Sequence, residues 1–577
     1  MILSLGAGVG MAAALLATWG RLTHSGPYTA QYEYINSSLV FTGDPSFQSL
    51  VINFNLTADH LSLAAAAVLA AVTLGAVAWN RTGGRNEVGP IRVLVLAALL
   101  LFAAVGVVFS IDLFELATFW GIAGACTYLL LAGRWGGEAS APARLALALP
   151  FLTDLALVGG VALLYSRFGA TDITKITPVL HATVGTGLKS VTAAAILIAV
   201  GAAGRAGLIP FHRWQTETSV GPPFAVALAQ AVWPLLAAML LIRTLPIFQG
   251  AGPQALTVLA VAGVAAALVG ALMALFGGRL RVTVTAVGIA QSGLVFLALA
   301  HGLPAVAIAA AMAAAPARAA AVFAAAAISR ALRTEDVLLL AEAGRRMRRA
   351  ATILGLALGA MVVASIEAGA RNLDPGIWEI LYGAGLVLTA AAAAAVYVRT
   401  AHGTLVRRRA FEPDRIRDVV SGAFRGPAVL AALAAILAIA TFVPGWLGYI
   451  DERSHSAASL AASAVWILVP LAGAALAAAY FGTQRSAALG FGSTIRASVA
   501  PAAAGWRALD AGGVRPGLAV GETVDGPLID AGEETLGRGA VGAGAHVAHR
   551  VPLLPALIGL AGALALLGAL LLPGVTR

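Results

Sequence analysis

The sequence is poor in cysteine and in charged side chains, and both shortages narrow what the chain can be. Cys126 is the only cysteine among the 577 residues, which excludes a disulfide framework and a cysteine-based metal or haem site. Charged residues make up 11% of the chain, against about 25% in a typical soluble domain. Because 60% of the residues are hydrophobic and the mean hydropathy is +0.89, we predict a polytopic membrane protein.

Motifs of soluble enzymes are also missing. We find no phosphate-binding glycine loop followed by lysine, no paired histidine–carboxylate cluster and no nucleophile elbow. We therefore predict no cofactor, no metal, no catalytic residue and no nucleic-acid partner. Any redox chemistry linked to this chain would belong to other chains, so whether it is part of an enzyme stays open.

Apolar runs long enough to cross a bilayer, about 20 residues each, recur along the whole chain. They predict an all-α architecture of about 15 transmembrane helices. Residues 1–19 lack the basic start of a signal peptide and are predicted to be a retained span. The predicted spans begin near residues 1, 57, 91, 111, 143, 190, 223, 254, 282, 303, 349, 377, 427, 461 and 552.

Basic residues are distributed unevenly among the loops. Loops after even-numbered spans carry Arg81, Arg85, Arg134 and the runs "RRMRR" (345–349) and "RRR" (407–409), whereas the other loops carry few. The positive-inside rule then predicts a cytoplasmic N-terminus in the bilayer of the cell (plasma) membrane.

Two segments do not fit the pattern of a span. Residues 31–56 alternate polar and apolar side chains, which predicts a short β-hairpin on the outer face. Residues 483–551 are polar and glycine-rich, with Val520, Val524 and Leu528 at a spacing of four. This spacing predicts a cytoplasmic amphipathic segment along the membrane surface; the alternative is a plain linker.

Ionisable side chains within apolar runs are costly in a bilayer and are functional candidates by default. Asp154, Arg205 and Arg318 stand out, and Glu367 lies near a predicted helix end. The alternative for Asp154 and Arg205 is a buried pair that only fixes packing. Prolines at positions 222, 223, 234 and 316 are predicted to interrupt helices, either beside a polar cavity or where the chain packs against protein.

Several segments, in this order, carry a resemblance to a known family. They are "NFNLTADHLS" (53–62), "DLFELATFWGIAGACTYLLLAG" (112–133), residues 201–248 beginning "GAAGRAGLIPFHRW", "AVGIAQSGLVFLALAHG" (286–302), "AIAAAMAAAPARAAAVFAAAAISRAL" (307–332) and "GWRALDAGGVRPGL" (505–518). They resemble the antiporter-like L-type membrane subunit of complex I, the proton-pumping NADH:quinone oxidoreductase.

The resemblance implies a layout and a set of partners. It implies N-terminal spans with the hairpin (1–110), an inverted-repeat antiporter-like core with broken helices (111–400) and C-terminal spans (401–482). A lateral segment (483–551) and an anchoring span (552–577) follow. The implied partners are the other membrane subunits of a complex I-like assembly, and the implied role is proton translocation coupled to electron transfer.

The resemblance also implies a lysine–glutamate–lysine–histidine proton relay, and most of its positions are replaced here. Its lysines fall on Arg205 and Arg318, a histidine falls on Gln230, and an arginine partner of Asp154 falls on Phe151. The other relay positions that are apparently lost are Gly121, Ala310 and Ala314. The candidates for an ion path are Arg205, Asp154, Arg318, Gln230, Glu367 and His212.

These replacements predict weak or absent pumping, because arginine stays protonated near neutral pH and alanine, glycine and glutamine carry no titratable proton. Conduction through a water-filled path is the alternative that the sequence leaves open. The alternative function is an ion-translocating or scaffold component of another complex. A cation/proton antiporter, a membrane-bound hydrogenase and an inorganic-carbon uptake system are the candidates.

Overall fold

In the described part of the chain, a two-stranded hairpin precedes a bundle of membrane helices. The computed structural model describes residues 27–37, 50–82, 90–133, 140–182, 189–337, 340, 347–370, 376–401, 424–442 and 457–483. The strands are β1 (Tyr28–Ser37) and β2 (Leu50–Ala58). The first eight helices are α1 (His60–Thr82), α2 (Pro90–Phe109), α3 (Leu113–Leu131), α4 (Ser140–Phe168), α5 (Ile173–Ala182), α6 (Lys189–Ala206), α7 (Arg213–Thr218) and α8 (Pro223–Arg243).

The remaining described helices complete the bundle. They are α9 (Leu245–Ala251), α10 (Pro253–Phe276), α11 (Leu280–Ala300), α12 (Pro304–Leu332), α13 (Arg348–Ala370), α14 (Ile377–Ala401), α15 (Arg425–Ala440) and α16 (Ala457–Thr483). Eleven helices in the described ranges are long and apolar enough to cross a membrane, and two shorter apolar segments lie at Arg425–Ala440 and Val465–Phe481. The predicted all-α polytopic fold is therefore confirmed. The predicted spans near residues 1 and 552 and the lateral segment lie outside the described residues.

The hairpin forms where alternation predicted it. Strands β1 and β2 pair antiparallel from Tyr28 opposite Ala58 to Ser37 opposite Leu50, with an irregularity between Glu33 and Ile35. The end of β2 is joined to the helices because Ile111 N–H donates to the carbonyl oxygen of Asn55 at 3.0 Å.

The expected interruptions at two prolines are wrong. Pro234 lies inside the continuous helix α8, and Pro316 lies inside the continuous 29-residue helix α12. Each proline removes one main-chain donor, which neighbouring helices in a membrane bundle tolerate. Only Pro222 and Pro223 mark a boundary, where proline suits the first turn of α8.

Helices α8 and α12 form the centre of the bundle. Both are buried along their apolar windows, whereas α4 lies at the periphery with Phe151, Leu152 and Leu155 exposed. The close packing of α4 against α6 depends on glycine. A Cβ at Gly204 would overlap the side chain of Thr153, and a Cβ at Gly201 would lie 2.7 Å from Leu157 Cβ. Small residues thus bring these two backbones together in lipid.

An ion pair ties the start of α1 to the end of α8. Arg243 Nη1 donates to Asp59 Oδ2 at 2.7 Å, and Ser62 N–H donates to Asp59 Oδ1 at 2.7 Å. Burial alone would raise the pKa of Asp59, but the Arg243 guanidinium and the Ser62 hydrogen bonds together lower it below its usual 3.8. The pair therefore stabilises the folded protein at neutral pH.

We predict that Asp59→Asn destabilises the protein at neutral pH and that the difference from the wild type vanishes in acid. A carboxylate whose pKa is depressed by folding contributes stability above its unfolded pKa and loses it as the pH falls through the folded pKa. Thermal unfolding of the detergent-solubilised protein from about pH 7 to pH 3 tests this. An equal deficit at every pH would contradict the prediction.

We also predict that Gly204→Ala lowers stability by about 1–3 kcal/mol because the new methyl group overpacks the contact with Thr153. Gly121→Ala is the matched control, since a Cβ at Gly121 meets no atom within 4 Å. The control should be neutral or gain up to about 1 kcal/mol from helix propensity. Equal unfolding temperatures for the two variants would refute the tight contact between α4 and α6.

Candidate functional site

Arg205 lies in the last turn of α6, next to a break in the helical path. Gly207 adopts φ +67°, and Leu208 N–H and Gly207 N–H donate to the carbonyl oxygens of Ala203 and Gly204 at 2.9 and 3.2 Å. This is the hydrogen-bond pattern of a Schellman ending, which favours glycine at the left-handed position. The helix therefore ends at Ala206, one residue after Arg205.

The polar segment after the break donates further hydrogen bonds to carbonyl groups in the last turn of α6. Trp214 Nε1 donates to the carbonyl oxygen of Gly204 at 2.9 Å, and Gln215 Nε2 donates to that of Ala206 at 3.0 Å. Both side chains are buried. Buried hydrogen bonds thus fix the break in the helical path and the position of Arg205 next to it.

Arg205 and Asp154 form a two-pronged ion pair between α6 and α4. Arg205 Nε donates to Asp154 Oδ1 at 3.0 Å, and Arg205 Nη2 donates to Oδ2. The side chains are 6% and 15% exposed, respectively. Trp120 Nε1 adds a third bond to Asp154 Oδ1 at 2.8 Å. Each charge is therefore compensated inside an apolar bundle, as an ionisable group there requires.

Aromatic side chains enclose the same guanidinium. The Arg205 guanidinium carbon lies 4.3 Å from the ring centre of Trp233, and Trp120 meets Trp233 edge to face at 5.0 Å. Trp233 Nε1 donates to Thr127 Oγ1 at 3.0 Å. Gly124 leaves the space that the guanidinium fills, since a Cβ there would overlap it. A planar guanidinium suits this setting better than an ammonium group, because it pairs and stacks simultaneously.

A second buried cation, Arg318, lies in α12 without a carboxylate partner among the described residues. It is 3% exposed. Its Nη2 donates to three neutral oxygens on α11: Gly288 O at 2.5 Å, and Gln291 Oε1 and Ser292 Oγ at 2.7 Å each. Its Nε has no hydrogen-bond partner in the described structure. The positive charge of Arg318 is therefore solvated by dipoles and left uncompensated.

The other sequence candidates do not join one continuous cluster. Gln230 is buried and donates to Thr285 Oγ1 at 2.7 Å. His212 is partly buried just before α7, and Glu367 lies in the last turn of α13. Their role in an ion path stays a prediction.

The apparently lost relay positions fall into two environments. Ala310 and Ala314 are buried in α12, on the same side of that helix as Arg318 by their spacing of four. Gly121 is exposed on α3. Asp154, in contrast, faces Arg205 directly, so the predicted pairing of these two residues is present in the structure.

The sequence did not reveal several residues of these sites. The sequence indicates only core residues at Trp120, Trp233 and Thr127, although Trp120 and Trp233 contact the Arg205 ion pair and Thr127 accepts a hydrogen bond from Trp233. A further buried carboxylate, Glu115, was missed at a different place in the fold; it is 2% exposed and accepts a hydrogen bond from Asn55 N–H at 2.9 Å. A carboxylate in an apolar run was the available signal for Glu115, whereas tryptophans in membrane helices give none.

The chain is similar to proteins named as parts of an NAD(P)H-quinone oxidoreductase and of a probable K⁺/H⁺ antiporter. Residues 110–365 match the family described as NADH:quinone oxidoreductase/Mrp antiporter, membrane domain. The chain is 26% identical over 307 residues to NAD(P)H-quinone oxidoreductase chain 5 of Synechocystis sp., an alignment that covers 52% of this chain and 43% of that protein. It is 27% identical over 270 residues to a probable K⁺/H⁺ antiporter component of Rhizobium meliloti, covering 45% of this chain and 26% of that protein.

A solved structure supports the fold over a longer range. A chain of the Mrp complex from Dietzia sp. superposes with a TM-score of 0.63 at 20% identity, covering 95% of this chain and 63% of that one. The chain spans less than half the length of the curated relatives named above. The predicted resemblance is nevertheless supported over residues 110–365, which are similar to the NADH:quinone oxidoreductase/Mrp antiporter family.

We predict that Arg205→Leu destabilises the protein by about 3 kcal/mol because it leaves Asp154 buried without its partner. Arg205→Lys keeps the charge and should fold. A double-mutant cycle with Asp154→Asn, read from thermal unfolding, isolates the coupling between the two side chains. Additive effects of the two single substitutions would show that the pair contributes nothing.

Proposed function

We propose that this chain is an L-type, antiporter-like membrane-arm subunit of a complex I-like quinone oxidoreductase that no longer carries its own proton path. The observation that supports this most strongly is the Arg205 site. The site keeps a buried positive charge beside a helix break, yet the charge is a guanidinium clamped by Asp154, Trp120 and Trp233. Such a group holds a charge in place and does not exchange protons near neutral pH.

The partners in this proposal are the other membrane subunits of the assembly. Relatives of this domain are named as parts of multi-subunit complexes, so partner membrane proteins are expected in general, and the quinone oxidoreductase arm is the specific proposal. The same proposal includes a cytoplasmic N-terminus and a location in the cell (plasma) membrane. It also includes the domain boundaries after residues 110, 400, 482 and 551.

A second candidate is an ion-translocating or scaffold component of a cation/proton antiporter complex. Two observations favour it: the similarity to the probable K⁺/H⁺ antiporter component of Rhizobium meliloti and the superposition on the Mrp complex chain. The charged pair of Arg205 and Asp154 would then hold the bundle together while ions cross elsewhere in the complex.

Purification of the tagged full-length chain from its native membrane separates these candidates. Mild detergent extraction, followed by mass spectrometry of the proteins that co-purify, should recover quinone oxidoreductase subunits together with NADH:quinone activity. Recovery of a cation/proton antiporter assembly without redox subunits would overturn the first proposal in favour of the second.

We predict that the purified chain alone moves no protons across proteoliposomes under an imposed pH gradient. The physical reason is the absence of exchangeable groups at positions 205, 230, 310, 314 and 318. An entrapped pH-sensitive dye measures the flux, and protein-free liposomes provide the baseline. A pH change that depends on the protein and exceeds this baseline would contradict the prediction.

A further inference from the structure

We propose that Arg318 is a fixed electrostatic barrier that keeps protons and cations out of the centre of the bundle. The inference rests on the proposed absence of independent proton translocation and names the group that enforces it. The buried guanidinium has three neutral acceptors and no carboxylate partner in the described part of the chain. A permanent arginine charge in a pore excludes protons and cations by repulsion.

The position of Arg318 is where such a barrier is needed. Its guanidinium adjoins a narrow gap between helices α8, α11 and α12. The gap is lined by Ala231, Pro234, Gln291, Ser292, Ala314 and Arg318, among others. It is too narrow for a water molecule in this structure. The alanines remove side chains that could titrate, so an intruding proton would have to travel on water.

The absence of water from the gap does not by itself keep protons out. Pro234 and Pro316 each remove a main-chain hydrogen bond from a helix beside the gap. Small fluctuations of these helices would admit water, and proton transfer along water needs no titratable side chain. The charge of Arg318 repels cations whether the gap is dry or contains water. A second positive charge about 5 Å from the guanidinium, at an effective dielectric constant of about 20, is disfavoured by roughly two orders of magnitude in its occupancy.

The neutral hydrogen-bond acceptors around Arg318 explain why its charge can repel cations. A carboxylate beside Arg318 would cancel its field, as Asp154 does for Arg205. Gln291, Ser292 and the carbonyl group of Gly288 stabilise the guanidinium through dipoles and leave its net charge intact. The two buried arginines therefore differ in function: Arg205 fastens helices, and Arg318 repels cations.

The test compares proton leak in proteoliposomes that contain the purified full-length chain. Arg318→Gln removes the charge and should raise the leak about tenfold or more over the wild type. Arg399→Gln is the matched control, since Arg399 also donates to main-chain carbonyl oxygens but lies away from the gap. A folded Arg318→Gln variant as tight as the wild type, or an equal leak in both variants, would overturn the proposal.

A second pair of variants keeps the proposal testable if Arg318→Gln fails to fold. Position 314 lies one turn before Arg318, so a carboxylate introduced there can pair with the guanidinium. We expect Ala314→Glu to raise both the unfolding temperature and the leak of K⁺ ions relative to Ala314→Gln, because it compensates the buried charge and because K⁺, unlike a proton, is not relayed by titration of the new carboxyl group. Equal behaviour of these two variants would overturn the barrier.

These outcomes are distinguishable from failure of the proposed function. A wild-type chain that conducts protons contradicts the predicted absence of translocation. In that case the proposed barrier is still supported if Arg318→Gln conducts several-fold more protons than the wild type. It is refuted if the variant and the wild type conduct equally. The identity of the co-purified complex does not enter this measurement.

Discussion

The ion pair between Arg205 and Asp154 is the interaction on which the arrangement of the helices depends. A charge inside a membrane bundle must be compensated, and this pair does so by joining α4 and α6 at the point where α6 ends. The glycines at 201 and 204 bring the two backbones close enough for the pair to form. Trp120 and Trp233 then connect the pair to α3 and α8.

The two buried arginines differ in the groups that stabilise their charges. This difference gives Arg205 a role in helix packing and Arg318 the proposed role in excluding cations. A guanidinium that is paired with a carboxylate and stacked on an indole is neutral to its surroundings and serves packing. A guanidinium solvated by amide, hydroxyl and carbonyl oxygens keeps its field. The same residue type thus supports two roles within one bundle, and neither role requires proton exchange.

Much of the fold followed from the sequence, and the sites followed only in part. Hydropathy and alternation predicted the helices and the hairpin because a lipid bilayer requires apolar runs of about 20 residues and a two-sided strand alternates its side chains between two faces. Pairing of Asp154 with Arg205 was also foreseeable, since two opposite charges in apolar runs need each other. The aromatic enclosure was not, because Trp233 and Thr127 lie far apart along the chain and nothing in the sequence relates them.

The prolines were misread for a physical reason as well. Pro234 and Pro316 would break isolated helices, but tertiary packing keeps α8 and α12 continuous.

The central claim is that Arg205 holds its charge and does not exchange a proton. Guanidinium ¹⁵N NMR of arginine-labelled protein, with Arg205→Lys to assign the signal, tests it most directly. The account predicts an unchanged protonated signal between about pH 5 and pH 9; loss of a proton within that range would contradict it.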